Sequence, residues 1–249
     1  MLFSCNLVFL SKTGHNGAKT IQGDKQMNEA KKQFIELLAE SGAVLFGDFT
    51  AKSGRKTPYF INTGKLTYGD QLDMVGRMYA QTYVENIGKE PRILFGPAYK
   101  GIPLIAITAA ALYSQYGVKA PVCFNRKEKK DHGEGGALVG QIPEANDKIV
   151  IIEDVITAGT AVRETMDLLK GLGRGKPEAI IIAVDRMERG QGTKPALQEL
   201  GEEFDLKVYP IVTIKEVVDH LRTTEINGRK YIDDALYERI LDYWKQYGA

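Results

Sequence analysis

Cysteine is nearly absent from this chain: of 249 residues, only Cys5 and Cys123 carry a thiol. They lie far apart and in no metal-ligand spacing, which argues against a disulfide framework or a zinc site and fits a reducing compartment, the cytoplasm. Excess charge is absent too. The 33 Lys and Arg offset 32 Asp and Glu, for a formal net charge of +1, so bulk electrostatics predict neither nucleic-acid coating nor attraction to a membrane. Any basic site is local. No apolar run approaches the roughly 20 residues that span a bilayer. There is no internal repeat and no low-complexity tract, and no Gly-Lys-Ser or Gly-Lys-Thr follows a strand, which removes the Walker phosphate loop. With 43% hydrophobic and 26% charged residues, the composition is that of an ordinary globular protein.

The first residues stand apart. "MLFSCNLVFL" is apolar without a basic start, and "SKTGHNGAKTIQGDKQ" is polar without a clear small-residue cleavage site, so the stretch does not fit a secretory signal. Residues 1–26 read as an extension, with Met27 as an alternative start, and residues 27–249 as a single domain.

From Asn28 the pattern is regular. Asn28 can cap a helix with Phe34, Ile35, Leu37 and Leu38 on one face, ended by Gly42. "VLFGDFTAKSGRKTPYFIN" alternates, turns at Ser53 and Gly54, and resumes, which predicts a hairpin. Strands and helices then alternate: "RILFG", a helix from Ile102 to Tyr116, "APVCFN", "KIVIIED", a helix from Thr160 to Leu172, "AIIIAVD" and "LKVYPIVT". Apolar strands separated by helices predict an α/β fold with a parallel sheet covered on both faces. "GLGRGK" follows a helix and reads as its stop. "YIDDALYERILDYWKQYG" closes the chain as an amphipathic helix with Ile232, Leu236, Ile240 and Tyr243 on one face. One segment breaks the rhythm: about 125–147, "NRKEKKDHGEGGALVGQIPEAND", is polar, charged and glycine-rich, and predicts a long functional loop.

Ligands of open parallel sheets bind beyond the carboxyl ends of the strands. There, "IVIIEDVITAGTAVRE" runs four β-branched residues into Glu153 and Asp154, then a small hydroxyl-bearing turn. Thr157, Thr160 and the backbone N–H groups of that turn face the positive end of a helix, a place for phosphate. The acids beside it suit neutral hydroxyls or a hydrated cation. Phosphate and diol together describe a ribose 5-phosphate, although a solvated strand end would read similarly.

"EDVITAGTA" resembles the phosphoribosyl diphosphate (PRPP) motif of type I phosphoribosyltransferases. "KSGRKTPYFIN", "FGPAYKGIPL", "FNRKEKKDHGEGG" and "VDRMERGQG" are similar, in order and over nearly everything from Asn28, to the orotate members of that family. The resemblance implies the type I fold, with a small N-terminal hood, mainly 27–68, and a flexible catalytic loop. It implies transfer of ribose 5-phosphate from PRPP to orotate, with Mg²⁺ held mainly by diphosphate and water instead of a protein cage. It also implies a homodimer whose loop reaches the neighbouring site, with no nucleic-acid or membrane partner.

Residue by residue, the resemblance implies that Lys52, Tyr99, Lys100, Arg126, Lys127, Lys130 and His132 contact PRPP, together with Glu153, Asp154, Val155, Ile156, Thr157, Ala158, Gly159, Thr160 and Ala161. Lys130, Asp154 and Lys100 are the catalytic candidates. Phe60, Ile61, Thr157 and Arg186 would meet orotate, the arginine fork suiting its planar carboxylate. The family commonly has a second aromatic at Ile61, and some relatives have Asp at Glu153. A non-proline cis peptide is implied between Ala98 and Tyr99. Two other readings compete: a PRPP-sensing regulator that binds without catalysis, and a transferase for another base.

Overall fold

The computed structural model describes residues 27–50, 54–130, 136–190 and 192–249. Helix α1, Glu29–Glu40, is capped by the Asn28 side chain, which accepts from the Lys31 N–H at 2.8 Å. Its buried face is Phe34, Ile35, Leu38 and Ala39. The hairpin follows as β1, Val44–Thr50, and β2, Lys56–Ile61, paired antiparallel with an irregularity between Phe46 and Phe49.

Helix α2, Gly69–Asn86, was not legible in the sequence pattern, for a packing reason. Its Gly76 lies against helix α3, Gly101–Tyr116, and an added Cβ would stand 2.7 Å from the Ile107 carbonyl oxygen. A residue that weakens a helix in isolation here permits two helices to touch.

The remaining strands are β3 Ile93–Gly96, β4 Val122–Lys130, β5 Gly136–Gly140, β6 Lys148–Val155, β7 Lys176–Asp185 and β8 Lys207–Thr213. They form one sheet in the order β5-β4-β3-β6-β7-β8. All pairings are parallel except β4 with β5, so the expected parallel sheet carries an antiparallel edge. Helices α4 Thr160–Gly171, α5 Ala196–Phe204, α6 Ile214–Thr223 and α7 Asp234–Tyr247 complete the chain, α5 and α6 being additions to the elements expected from the sequence.

Alternate residues of the central strands feed two cores. Leu94, Val150, Ile152 and Ile181 face a core shared with α1, α2, α3, α6 and α7, while Phe95, Ile149, Ile151, Ile180 and Ile182 face one shared with α4 and α5. That is why these strands read as continuous apolar runs.

The long loop expected at about 125–147 is corrected by the structure. Part of it is strand: β4 continues through Lys130, and β5 pairs back with Asn125 opposite Leu138 and Lys130 opposite Gly136, while residues 131–135 lie outside the described residues. A two-stranded edge is held by backbone hydrogen bonds, which side-chain composition does not reveal.

Candidate active site

Strand order places the site. From β3 the chain passes through α3 to β4 on one side, whereas β6, β7 and β8 lie on the other, so the order reverses between β3 and β6. A crevice opens at such a switch point beyond the carboxyl ends of the strands. The turn after β3 and the acids ending β6 therefore face each other.

The β3 turn is tight. A Cβ on Gly96 would lie 2.3 Å from the Gly101 carbonyl oxygen, so only glycine allows the strand end and the α3 start to close together. The Ala98–Tyr99 peptide is cis, as the resemblance implied. The Ala98 N–H donates to Asn125 Oδ1 at 2.9 Å, tying the turn to β4. Lys100 emerges half-exposed and its ammonium lies 2.7 Å from Asp154 Oδ2.

Both β6 acids are buried, Glu153 at 7% exposure and Asp154 at 4%. Asp154 also accepts from the Thr63 hydroxyl at 2.9 Å and from the Val155 N–H at 2.8 Å. The fully buried Tyr79 on α2 donates its phenol proton to the Glu153 carbonyl at 2.7 Å, which fixes the strand end from behind.

The two acids diverge electrostatically. Burial first, then the neighbouring Asp154 charge, pushes Glu153 up to about 8. Burial would also raise Asp154, but the hydrogen bond and charge of Lys100 and the Val155 N–H hold it below the usual carboxylate range. At neutral pH the pair is thus one neutral and one ionised carboxyl.

A stability prediction follows from the sign of that shift. Below the unfolded value of about 4.3 both states hold the Glu153 proton; between there and about 8 only the folded state does, so rising pH disfavours folding through this group. Glu153→Gln is expected to gain stability over the parent as pH rises from 5 to 9, with little gain at the acid end. Urea unfolding midpoints at the two pH values test it, and parallel curves would mean that Glu153 is charged at neutrality.

A cavity of about 620 Å³ lies over this crevice. Its wall includes Phe60 and Ile61 from β2, Lys100, Glu153, the run Val155 to Ala161, and Arg186 after β7. Thr157 and Thr160 are exposed at the α4 N-terminus. Phe60, 43% exposed, stacks on Phe49 with centroids 5.7 Å apart, and Ile61 is buried.

Other expected residues lie off this cavity or outside the described residues. Tyr99 is exposed, with the Lys127 ammonium 5.6 Å from its ring centroid; neither it nor Arg126 or Lys127 lines the cavity of this chain. Lys130 ends the strand β4. Lys52 and His132 lie outside the described residues.

The comparisons with known proteins bear on this cavity. A model of the phosphoribosyl transferase domain matches residues 64–199. The orotate phosphoribosyltransferase of Clostridium acetobutylicum is 51% identical over 223 residues, covering 90% of this chain and 100% of its own. The chain belongs to the orotate phosphoribosyltransferase family. The enzyme of that name from Photorhabdus laumondii is 42% identical over 222 residues, with 89% and 100% covered. Among solved structures, the Francisella tularensis orotate phosphoribosyltransferase superposes with a TM-score of 0.74 at 31% identity, covering 87% of this chain and all of that one. The fold is the family's type I fold.

Sequence reasoning missed the residues that support the site. Thr63, Asn125 and Tyr79 act through single hydrogen bonds to groups 91, 27 and 74 positions away. Glu188 lies within "VDRMERGQG", where nothing in the sequence singles it out. Its carboxylate, 8% exposed, sits against Arg186.

No helix among the described residues is long and apolar enough to cross a membrane. The described residues also contain no group of three or more His, Cys, Asp or Glu able to hold a metal. Glu153 on the cavity wall, with Asp154 adjacent to it, fits a Mg²⁺ that keeps its waters and is held largely through substrate phosphates.

Proposed function

We propose that this protein transfers the ribose 5-phosphate group of PRPP to orotate, giving orotidine 5′-monophosphate and diphosphate in the making of UMP. One observation carries the reading. The α4 anion turn, Glu153 of β6, Lys100 with its partner Asp154, and the buried Arg186 meet at one cavity at the sheet's switch point, Asp154 lying just behind its wall.

The α4 N-terminus offers N–H groups and the Thr157 and Thr160 hydroxyls to the 5-phosphate. Glu153 and Asp154 meet the ribose hydroxyls. Neutral Glu153 can donate a hydrogen bond where ionised Asp154 only accepts. In the free protein Lys100 neutralises Asp154; with PRPP bound, its ammonium turns to the diphosphate. The C1–O bond breaks with its electron pair leaving on diphosphate while the orotate nitrogen bonds to C1, so the protein supplies cations at the leaving group and excludes water, and no covalent nucleophile is needed. Glu153 and Asp154 would be the carboxyls to hold a hydrated Mg²⁺ brought with PRPP, and the ion would neutralise diphosphate charge. Phe60 and Ile61 lie on the base ring, and Arg186 pairs the carboxylate that uracil lacks.

The working unit in this reading is a cytoplasmic homodimer, with residues 27–249 as one domain. The placement of Arg126 and Lys127 away from their own chain's cavity supports it, because cations on the β4–β5 edge are then available to a neighbouring site. The test is the near-ultraviolet absorbance of orotate on mixing with PRPP, Mg²⁺ and protein. Loss with orotate, absent with uracil or a purine base and abolished by a chelator, is expected. Tight PRPP binding with no base consumed would make the protein a sensor instead.

A further inference from the structure

Around Glu188 the structure gathers more polar chemistry than transfer itself requires. Its Oε1 accepts from Arg186 Nη2 at 2.7 Å and from the Tyr59 phenol at 3.0 Å, and Arg55 Nη1 lies 3.3 Å from Oε2. Tyr59 is fully buried, its ring 5.1 Å from the Arg186 guanidinium carbon and edge-on to Tyr243 at 5.6 Å. Trp244 Nε1 donates to the same phenol oxygen at 3.3 Å. The backbone is clamped as well: Glu188 bridges Gly248 and the Arg189 N–H donates to the Tyr247 carbonyl at 3.1 Å.

One carboxylate is thus shared by two guanidinium groups and a phenol, leaving the cluster one positive charge in excess. Arg186 is 9% exposed, and its buried Nε has no hydrogen-bond partner among the described residues. The Arg186 guanidinium on the cavity wall thus keeps unspent hydrogen-bonding capacity, and the excess charge matches one anionic group.

We propose that Glu188 is a positioning residue that sets specificity: it holds one end of the Arg186 fork and leaves the rest for a single carboxylate on the base. This rests on the assignment of Arg186 to the orotate carboxylate. Without the Glu188 charge, Arg186 has no buried counter-ion in the free protein and leaves the pose in which it can pair a planar carboxylate. The link also joins the hood to the sheet, since Arg55 and Tyr59 belong to the hairpin region and Glu188 follows β7.

The experiment compares Glu188→Gln, Tyr59→Phe and Arg186→Lys with the parent, measuring kcat and KM for orotate, KM for PRPP, and any transfer to uracil. Glu188→Gln keeps size and an acceptor oxygen and is expected to raise the KM for orotate about ten-fold or more, with kcat and the KM for PRPP within about two-fold. Tyr59→Phe should shift the orotate KM in the same direction by less, and it carries the test alone if Glu188→Gln does not fold. An orotate KM that is unchanged or lower in Glu188→Gln, while Arg186→Lys raises it, overturns the inference and leaves the function standing. An unchanged orotate KM in Arg186→Lys overturns the assignment beneath it. A uniform loss in kcat and both KM values would show a structural role only and would also overturn it.

Discussion

Lys130→Ala is expected to lower kcat by about 10² or more with a smaller change in the KM for PRPP. Negative charge develops on diphosphate as it departs. A cation that meets this charge mainly in the transition state contributes to kcat and little to ground-state binding. Lys130 ends β4, beside the return into β5, and belongs to the stretch that resembles the family's catalytic segment. Steady-state rates at saturating PRPP and orotate make the comparison, and an unchanged kcat would remove this edge of the sheet from the chemistry. The same variant tests the dimer. Mixed with Asp154→Asn, expected to be inactive through loss of its ribose contact, it should recover activity, because each hybrid holds one intact site. Verified subunit exchange without recovery would put Lys130 in its own chain's site.

Arg186→Ala should reduce kcat/KM for orotate by about 10²- to 10³-fold, because truncating one partner of a buried charge pair costs about 2 to 5 kcal/mol. The loss should fall on the carboxylate. Orotate and uracil should then be treated alike, both poorly, since a pocket built for a charged group discriminates against a ligand that leaves it unpaired. Thermal unfolding belongs beside the kinetics: Glu188 loses one of its buried donors in this variant, so some loss of stability is expected. A preference for orotate that survives the change would mean that the carboxylate is held elsewhere on the cavity wall.

Much of the architecture was legible because burial on both faces leaves a simple trace. Strands β6 and β7 read as unbroken β-branched runs, and the acids ending β6 stood out because nothing in a buried strand requires them. The cap at Asn28 and the antiparallel pairing of the hairpin followed from local chemistry and were found as read, whereas of the face expected for α7 only Ile240 and Tyr243 are buried on the helix and Ile232 is buried ahead of it. Where reading failed, local chemistry opposed the outcome. The charged stretch after Phe124 has no apolar alternation, yet its backbone pairs with β5. In α2 a helix carries an interior glycine because α3 packs against it.

Residue order alone determined the type of fold, the ribose-phosphate chemistry of "EDVITAGT" and, through resemblance, the residues expected to share a site. It could do so because those signals lie within single elements, where spacing along the chain is spacing in the structure. Only the tertiary structure decided that Lys100 neutralises Asp154 while Glu153 keeps its proton, and that Glu188 is shared by Arg55, Tyr59 and Arg186. Those partners are 54, 133, 129 and 2 positions apart. Even the last pair is invisible as a contact, because residues two apart meet only if the chain turns between them. Here Met187, at φ 52°, makes that turn. Burial and charge at a site depend on what several distant elements bring within a few ångströms, and that is a property of the packed fold.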